Sequence, residues 1–235
     1  MYHSITFGDK NTWDDWHLIP SSRPVFSVPA VNTSYIEIPG MDGQLDATEA
    51  LTGYPTFADR TGSFEFVVVE GDGYGSWMDR YTTIMEYLHG RRMHAVLEDE
   101  PDYYYDGRFS VNSWKSGSNW STVTIDYTVA PYKKELTSSL DDWEWDSFNF
   151  ESGVIRSLKD LTVDGSLTVN IIGTPQPVTP EFTASSAMTV TFKGNEYALS
   201  AGTTKLAKVI LQNGENELTI SGNGTVSINY RGGRL

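Results

Sequence analysis

Apolar residues recur at helical spacing in one segment of the chain, between Ser76 and Gly90. Ser76 precedes the pattern as an N-cap, and Asp79 lies three residues later, where a capping-box acid is found. Gly90 follows as a C-cap residue, and Arg91 and Arg92 come where the helix dipole favours cations. The pattern therefore predicts a helix, the only one that we predict in the chain, with an apolar stripe formed by Trp77, Tyr81, Ile84, Met85 and Leu88.

Strict alternation of apolar and polar residues flanks this segment on both sides and predicts strands with one buried face. The apolar positions are Phe64, Phe66 and Val68 before the helix, and Tyr105, Phe109, Val111, Val123, Ile125, Tyr127 and Val129 after it. A lone helix with one apolar stripe needs a sheet to cover, so we expect these strands to supply that sheet.

The first sixty residues predict shorter and less regular elements. Strands are expected at residues 2–7, 25–30 and 33–38, separated by turn signals. Residues 39–53 contain three glycines and lack a strand or helix period, which predicts an irregular loop.

The composition of the sequence changes after Lys134, where residues 136–140 are mostly small and polar. We therefore expect two domains, residues 1–134 and residues 135–235. The second contains eight short strand patterns and a proline-rich crossing loop at 174–180, which predicts a β-sandwich or jelly roll. The expected strands are Trp143–Phe150, Val154–Leu161, Leu167–Ile172, Met188–Phe192, Tyr197–Leu199, Leu206–Leu211, Glu217–Ile220 and Val226–Tyr230.

Composition excludes several function classes. A net charge of −14 argues against specific nucleic-acid binding, which needs a basic footprint. The absence of cysteine excludes disulfides, thiolate metal sites and a cysteine nucleophile. No window approaches the roughly 18 apolar residues of a membrane span, and the first residues lack the pattern of a signal peptide. We therefore expect synthesis in a cytoplasm and no membrane association.

The candidate chemistry is sparse. Carboxylates cluster near Asp46, near Asp99 and near Asp142, but acids in turns are typical of solvated loops, and none of the clusters has an EF-hand spacing. The four histidines show no metal-ligand spacing, and the glycines before the helix lack a dinucleotide-binding fingerprint. We predict no catalytic residues, no cofactor and no metal site, and therefore no enzyme. Trp143 and Trp145 fit a core or interface better than a sugar platform.

Several longer stretches of the sequence are distinctive when taken together. They are residues 11–18, residues 38–53 together with Arg60, residues 88–90, 104–108 and 130–133, and residues 211–216 and 228–231. These stretches resemble one known family, the distal tail proteins (Dit) of long, non-contractile-tailed bacteriophages and related prophages. The resemblance covers nearly the whole chain.

The resemblance implies a mainly β fold, with an N-terminal ring-forming belt domain that carries one α-helix and a C-terminal galectin-like β-sandwich. It also implies a structural virion protein. Six copies would form a ring at the distal end of the tail, joining the tail-tube protein to the tail-associated hub protein and presenting receptor-binding or baseplate proteins. DNA would pass through the channel without specific binding. Asp46, Glu49 and Arg60 are our candidates for the ring interface, and Trp143 and Trp145 for a docking surface.

An alternative function is a carbohydrate-binding module that recognises host cell-wall polysaccharide, because a galectin-like sandwich with exposed aromatics offers a place for sugars. Galectin-type sites use a histidine, and residues 135–235 contain none. This absence favours protein docking over inherited sugar binding.

Overall fold

A computed structural model describes residues 2–69, 76–117, 120–141 and 157–235 of the chain. Within these ranges the chain is mainly β-strand and has one α-helix, which confirms the predicted fold class. The chain divides into two compact units, residues 1–133 together with Leu235, and residues 134–234. The galectin-like character of the second unit stays a prediction.

The first unit is built on an antiparallel sheet with the strand order β2-β1-β7-β8-β9-β6-β3. A separate two-stranded hairpin, β4 with β5, lies outside this sheet. The elements are β1 (Ile5–Phe7), β2 (Lys10–Asn11), β3 (Ile19–Pro20), β4 (Tyr35–Ile36), β5 (Leu45–Asp46), β6 (Arg60–Val69), α1 (Trp77–Leu88), β7 (Arg91–Leu97), β8 (Tyr103–Ser116) and β9 (Trp120–Val129).

The apolar faces predicted from alternation are the buried faces of these strands. Phe66 on β6, Phe109 on β8 and Ile125 on β9 are fully buried, and they lie in one core together with Ile84 and Leu88 of the helix. Each such side chain contributes about 1.5–3 kcal/mol by leaving water. The single core therefore fixes which face of the sheet is covered and leaves the alternate residues facing outward.

The helix begins and ends where the capping signals place it. The Ser76 hydroxyl accepts a hydrogen bond from the amide of Asp79, and Gly90 has a φ of +73° directly after the C-cap residue His89. Its buried stripe differs from our prediction, since Arg80 is buried and Met85 is 41% exposed. Met85 follows Ile84 by one residue and is therefore turned about 100° away from the core.

Two strand predictions for the first unit are wrong, one of them only in part. Residues 25–30 form no strand, and only Tyr35–Ile36 is a strand within residues 33–38. Pro24 precedes the first of these stretches and Pro29 lies within it, and neither has an amide hydrogen to donate to a strand ladder.

The second unit contains a sheet with the strand order β14-β13-β16-β12-β15, in which β11 also pairs with β16. Its own core includes Phe182, Leu218 and Ile228, all fully buried. The elements are β10 (Lys133–Glu135), β11 (Leu161–Gly173), β12 (Glu181–Ala184), β13 (Met188–Phe192), β14 (Asn195–Leu199), β15 (Gly202–Lys205), β16 (Gly214–Asn229) and β17 (Gly233–Arg234).

The predicted strand at Met188–Phe192 is confirmed to the residue, but two other predictions for this unit are wrong. The separate strands expected at 217–220 and 226–230 are one long strand, β16, whose residues 214–226 pair with the whole length of β11. Gly222 and Gly224, with φ values of 146° and 137°, let the backbone continue between the two halves.

The strand expected at Leu206–Leu211 is mostly a turn, with one isolated bridge from Leu211 to Val178. The strand expected at Trp143–Phe150 lies outside the described residues, as do residues 154–156 of the strand expected at Val154–Leu161. The described part of the latter is wrong as a strand except for Leu161, the first residue of β11.

Candidate functional site

Residues 30–58, which we call the arm, leave the main sheet of the first unit and return to it. At the base, the amide of Ala58 donates to the carbonyl of Ala30 at 2.8 Å, and the amide of Asn32 donates to the carbonyl of Thr56 at 2.9 Å. Farther out, β4 and β5 pair in antiparallel register. Gly40 and Gly43 have φ values of 84° and 81° and form the reversal between these two strands.

Apolar side chains of the arm are exposed to solvent. Tyr35 and Ile36 are adjacent on β4, so they point to opposite faces, and both are about half exposed. Leu51 is 100% exposed. The other exposed apolar residues of the arm are Val31, Ile38, Met41 and Leu45. A two-stranded hairpin without cover is only marginally stable, and a concentration of exposed apolar residues marks an interaction surface.

The arm is also acidic. It contains Glu37, Asp42, Asp46 and Glu49, and it has no lysine, arginine or histidine. Hydrogen bonds from the hydroxyl and the backbone amide of Thr48 hold the pKa of the Asp46 carboxyl below its usual range. The Glu37 carboxylate accepts a hydrogen bond from the Gln44 amide at 3.3 Å. The arm therefore offers ionised carboxylates interleaved with apolar side chains.

Arg60 holds the base of the arm from inside the unit. Its side chain is 5% exposed, its Nε donates to the carbonyl of Pro131 at 2.8 Å, and its Nη1 donates to the carbonyl of Ser27 at 2.9 Å. The guanidinium also lies 5.6 Å from the ring centroid of Tyr105. Ser27 precedes the arm and Arg60 follows it, so one side chain ties the two ends of the arm together.

Comparisons with known proteins find similarity among solved structures, but not among family models or curated proteins. No family model matches the sequence, and no curated protein matches it. Among solved structures, the chain is similar to the SPP1 Dit protein (gp 19.1), with a TM-score of 0.60 and 12% identity over 100% of both chains. The chain has the fold of SPP1 Dit. That protein is described as a paradigm of hub adsorption apparatus in Gram-positive-infecting phages.

Within this Dit fold, our three candidates for a ring interface have different environments. Asp46 and Glu49 are exposed on the arm. Arg60 was expected to make polar contacts with another subunit. It is buried at the base of the arm, and its guanidinium donates hydrogen bonds to carbonyls of its own chain. The docking candidates Trp143 and Trp145 lie outside the described residues.

Among the described residues, the acidic cluster near Asp99, the second along the sequence, does not form the paired carboxylates of a hydrolytic site, and Asp142 of the third cluster lies outside the described residues. The second cluster is divided among separate partners: Glu98 accepts from Ser4, Asp99 pairs with His3 and Arg23, and Glu100 pairs with Lys133. The described ranges contain no group of three or more side chains placed to hold a metal ion. They also contain no helix that is long and apolar enough to cross a membrane.

The C-terminal unit of the Dit fold presents an outward face lined by hydroxyl groups. Thr168 on β11 and Thr219 on β16 are cross-strand partners with their hydroxyl oxygens 3.2 Å apart, and Thr191 on β13 continues the same row. Ser166, Ser221 and Thr189 form the next row. Sequence analysis missed this face, because the register that aligns the three strands cannot be read from single strand patterns.

Proposed function

We propose that the chain is a structural component of a phage tail that assembles as a six-membered ring at the distal end of a long, non-contractile tail. In that position it joins the tail tube to the hub and presents receptor-binding or baseplate proteins. The observation that carries the proposal is the similarity to SPP1 Dit, a hub adsorption protein, over the full length of both chains. The motif resemblance supports the same assignment.

The arm supplies the kind of surface that such a ring needs. Its apolar residues are solvated on both faces within one copy, so burial against a second copy would stabilise it. An arm that binds a different surface of the next copy makes a heterologous contact, and heterologous contacts generate closed rings when the rotation between copies closes.

The charge of the chain is compatible with a channel for DNA. With a net charge of −14, the ring would repel the phosphate backbone and let DNA slide without binding. A structural ring around a DNA channel needs no catalytic group and no cofactor.

Light scattering of the purified protein tests the proposal. We expect a mass about six times that of the 26.2 kDa chain, or twelve times if two rings stack, and a ring with a central opening in negative-stain electron micrographs. A protein that stays monomeric at all concentrations, and that immunogold labelling does not find at the tail tip of virions, would contradict the proposal.

A second candidate function is binding of host cell-wall polysaccharide by the C-terminal unit. The hydroxyl rows around Thr168 and Thr219 favour it, because converging hydroxyls are suited to hydrogen bonding with sugars. The named rows carry no aromatic side chain on which a sugar ring would stack, so we favour protein docking. Saturable binding of wall polysaccharide to the full chain, lost on Thr168→Val with Thr219→Val or on Trp143→Ala, would establish the sugar-binding function.

A further inference from the structure

One row of outward side chains crosses the end of the first sheet that is farthest from the arm. Ile19 of β3 lies opposite Val67 of β6. Thr122 of β9 lies opposite Val67 on one side and opposite Lys115 of β8 on the other. Val67 follows the fully buried Phe66, so the row points to the outer face of the sheet. It spans four strands, or about 14 Å.

This end of the sheet combines exposed apolar side chains with one cation. Ile19 is 39% exposed, and Trp120, which precedes Thr122 by two residues and therefore shares its face, is 56% exposed. Lys115 is also exposed, and among the described residues it has no carboxylate partner. It is the only charged residue within residues 109–125. We call Ile19, Val67, Lys115 and Trp120 the Trp120 surface.

The arm carries the complementary chemistry. It has four carboxylates and no cation, and none of the four forms an ion pair with another described residue of the chain. The hydrogen bonds found for Glu37 and Asp46 come from the neutral groups Gln44 and Thr48. Exposed apolar side chains such as Leu51 accompany these carboxylates. The arm and the Trp120 surface are therefore opposite in charge, and both expose apolar area.

The two surfaces lie at opposite ends of the sheet. Strands β6 and β9 pair from Arg60, opposite Val129, to Val69, opposite Trp120. The base of the arm at Ala58 lies next to Arg60, so the arm leaves the sheet at one end and Trp120 lies at the other. The paired length between them is about 30 Å. A contact between these two surfaces of different copies is heterologous, which is the kind of contact that closes a ring.

Other exposed arginines of the first unit do not meet these conditions. Arg23 and Arg92 already pair with carboxylates of their own chain. Arg91 and Arg108 align with the first three residues of β6, at the same end of the sheet as the arm. Lys115 combines the absence of a carboxylate partner among the described residues with a position at the far end, beside exposed apolar side chains.

We infer that the arm of one copy docks onto the Trp120 surface of the next copy. This inference rests on the proposed ring and names the surface that receives the arm. Burial of Trp120 and Ile19 against apolar residues of the arm supplies most of the stabilisation. Lys115 then lies among the carboxylates of the arm, and this charge pairing selects the receiving surface.

Cross-linking between copies tests the contact directly, because the chain has no cysteine of its own. One variant carries Ala50→Cys, an exposed position of the arm, and a second carries Ile19→Cys on the Trp120 surface. We expect a short bismaleimide to join the two variants when they are mixed and assembled together. Thr61→Cys, an exposed position on the same outer face at the arm end of β6, is the matched control. It should not be joined to Ala50→Cys.

Substitution measures what the Trp120 surface contributes to assembly. A variant with Trp120→Ser and Lys115→Glu loses the aromatic anchor and reverses the charge. We expect it to need at least about tenfold more protein for half-assembly than the wild type. Arg91→Glu makes the same charge reversal at an exposed cation near the arm end, and this control should assemble as the wild type does. Equal melting temperatures in dilute, monomeric samples show that the variants are folded.

The outcomes separate this inference from the proposed function. Rings in which Ala50→Cys is joined to Thr61→Cys and not to Ile19→Cys would overturn the inference and leave the proposed ring standing. Normal assembly of the variant with Trp120→Ser and Lys115→Glu would do the same, because the Trp120 surface would then face something other than the arm. A wild-type chain that stays monomeric would overturn both.

Discussion

Arg60 shows at the scale of one residue how a functional role can be exerted from inside the protein. Arg60 contributes, together with residues 38–53, to the resemblance to the Dit family, and we therefore expected it to make a polar contact at the subunit boundary. In the structure it is buried, and its guanidinium donates to the carbonyls of Ser27 and Pro131. A buried cation is costly unless its donors are satisfied, and these carbonyls satisfy two of them. Arg60 therefore acts on the arm by fixing where the arm leaves the sheet.

Replacing Arg60 with methionine should destabilise the first unit. The change leaves two carbonyls at the base of the arm without their charged donor, and we expect a loss of about 2–3 kcal/mol in the free energy of unfolding. Urea denaturation measures this loss. Arg23→Met removes a guanidinium that is 65% exposed and leaves Asp99 paired with His3, so this control should cost less than about 1 kcal/mol. Equal losses for the two variants would contradict the anchoring role of Arg60.

At the scale of an element, the turn after β2 explains one of the motifs that carry the family resemblance. The Asn11 side-chain oxygen accepts from the amides of Trp13 and Asp14, and the Asp15 carboxylate accepts from the amide of Asn11 at 2.8 Å. The turn delivers Trp16 and Leu18 to the core. The short polar side chains are therefore needed to close the turn, and the apolar ones to pack it.

The same turn predicts a dependence of stability on pH. The amide of Asn11, and after it the ammonium of Lys10, hold the pKa of Asp15 below its ordinary value of 3.8. A depressed pKa means that ionised Asp15 stabilises the fold above that value, and that this contribution is lost as the pH falls through the folded-state pKa. Asp15→Asn should therefore melt below the wild type at pH 7, and the difference should disappear near pH 2. Asp14→Asn, at the exposed neighbouring position, is the control, and it should melt at the same temperature as the wild type at pH 7.

At the scale of the whole molecule, the described residues form two units that each have a hydrophobic core. The arm lies in the first unit, and the hydroxyl rows lie in the second. Assembly and outward docking are therefore carried by different units in the function that we propose.

Truncation should separate these two roles. A fragment of residues 1–134 should retain ring formation, and a fragment of residues 135–235 should be monomeric, because only the first contains the arm. Size-exclusion chromatography with light scattering gives the two masses, and circular dichroism shows whether each fragment is folded. Oligomers of the folded C-terminal fragment, together with a monomeric N-terminal fragment, would reverse the assignment.

The sequence by itself determined the local structure of this protein and the class of its fold. Capping residues and a 3.6-residue period located the helix between Ser76 and Gly90, and a two-residue period located the buried faces of β6, β8 and β9, because both signals act between residues that are close in the chain. Residues 39–53 of the arm were predicted as an irregular loop, which is correct except for β5 at Leu45–Asp46. Asp46 and Glu49 are exposed, and their part in a ring interface stays a prediction.

Tertiary structure decided what depends on residues far apart in the chain. Only the strand register brings Arg92 beside Arg108 and aligns the hydroxyls of Thr168 and Thr219. Only packing places Arg60 under the base of the arm and merges two predicted strands into β16. The physical reason is the same in each case: pairing and burial join segments that are separated by tens of residues, and no periodicity within one segment records which partner it will meet.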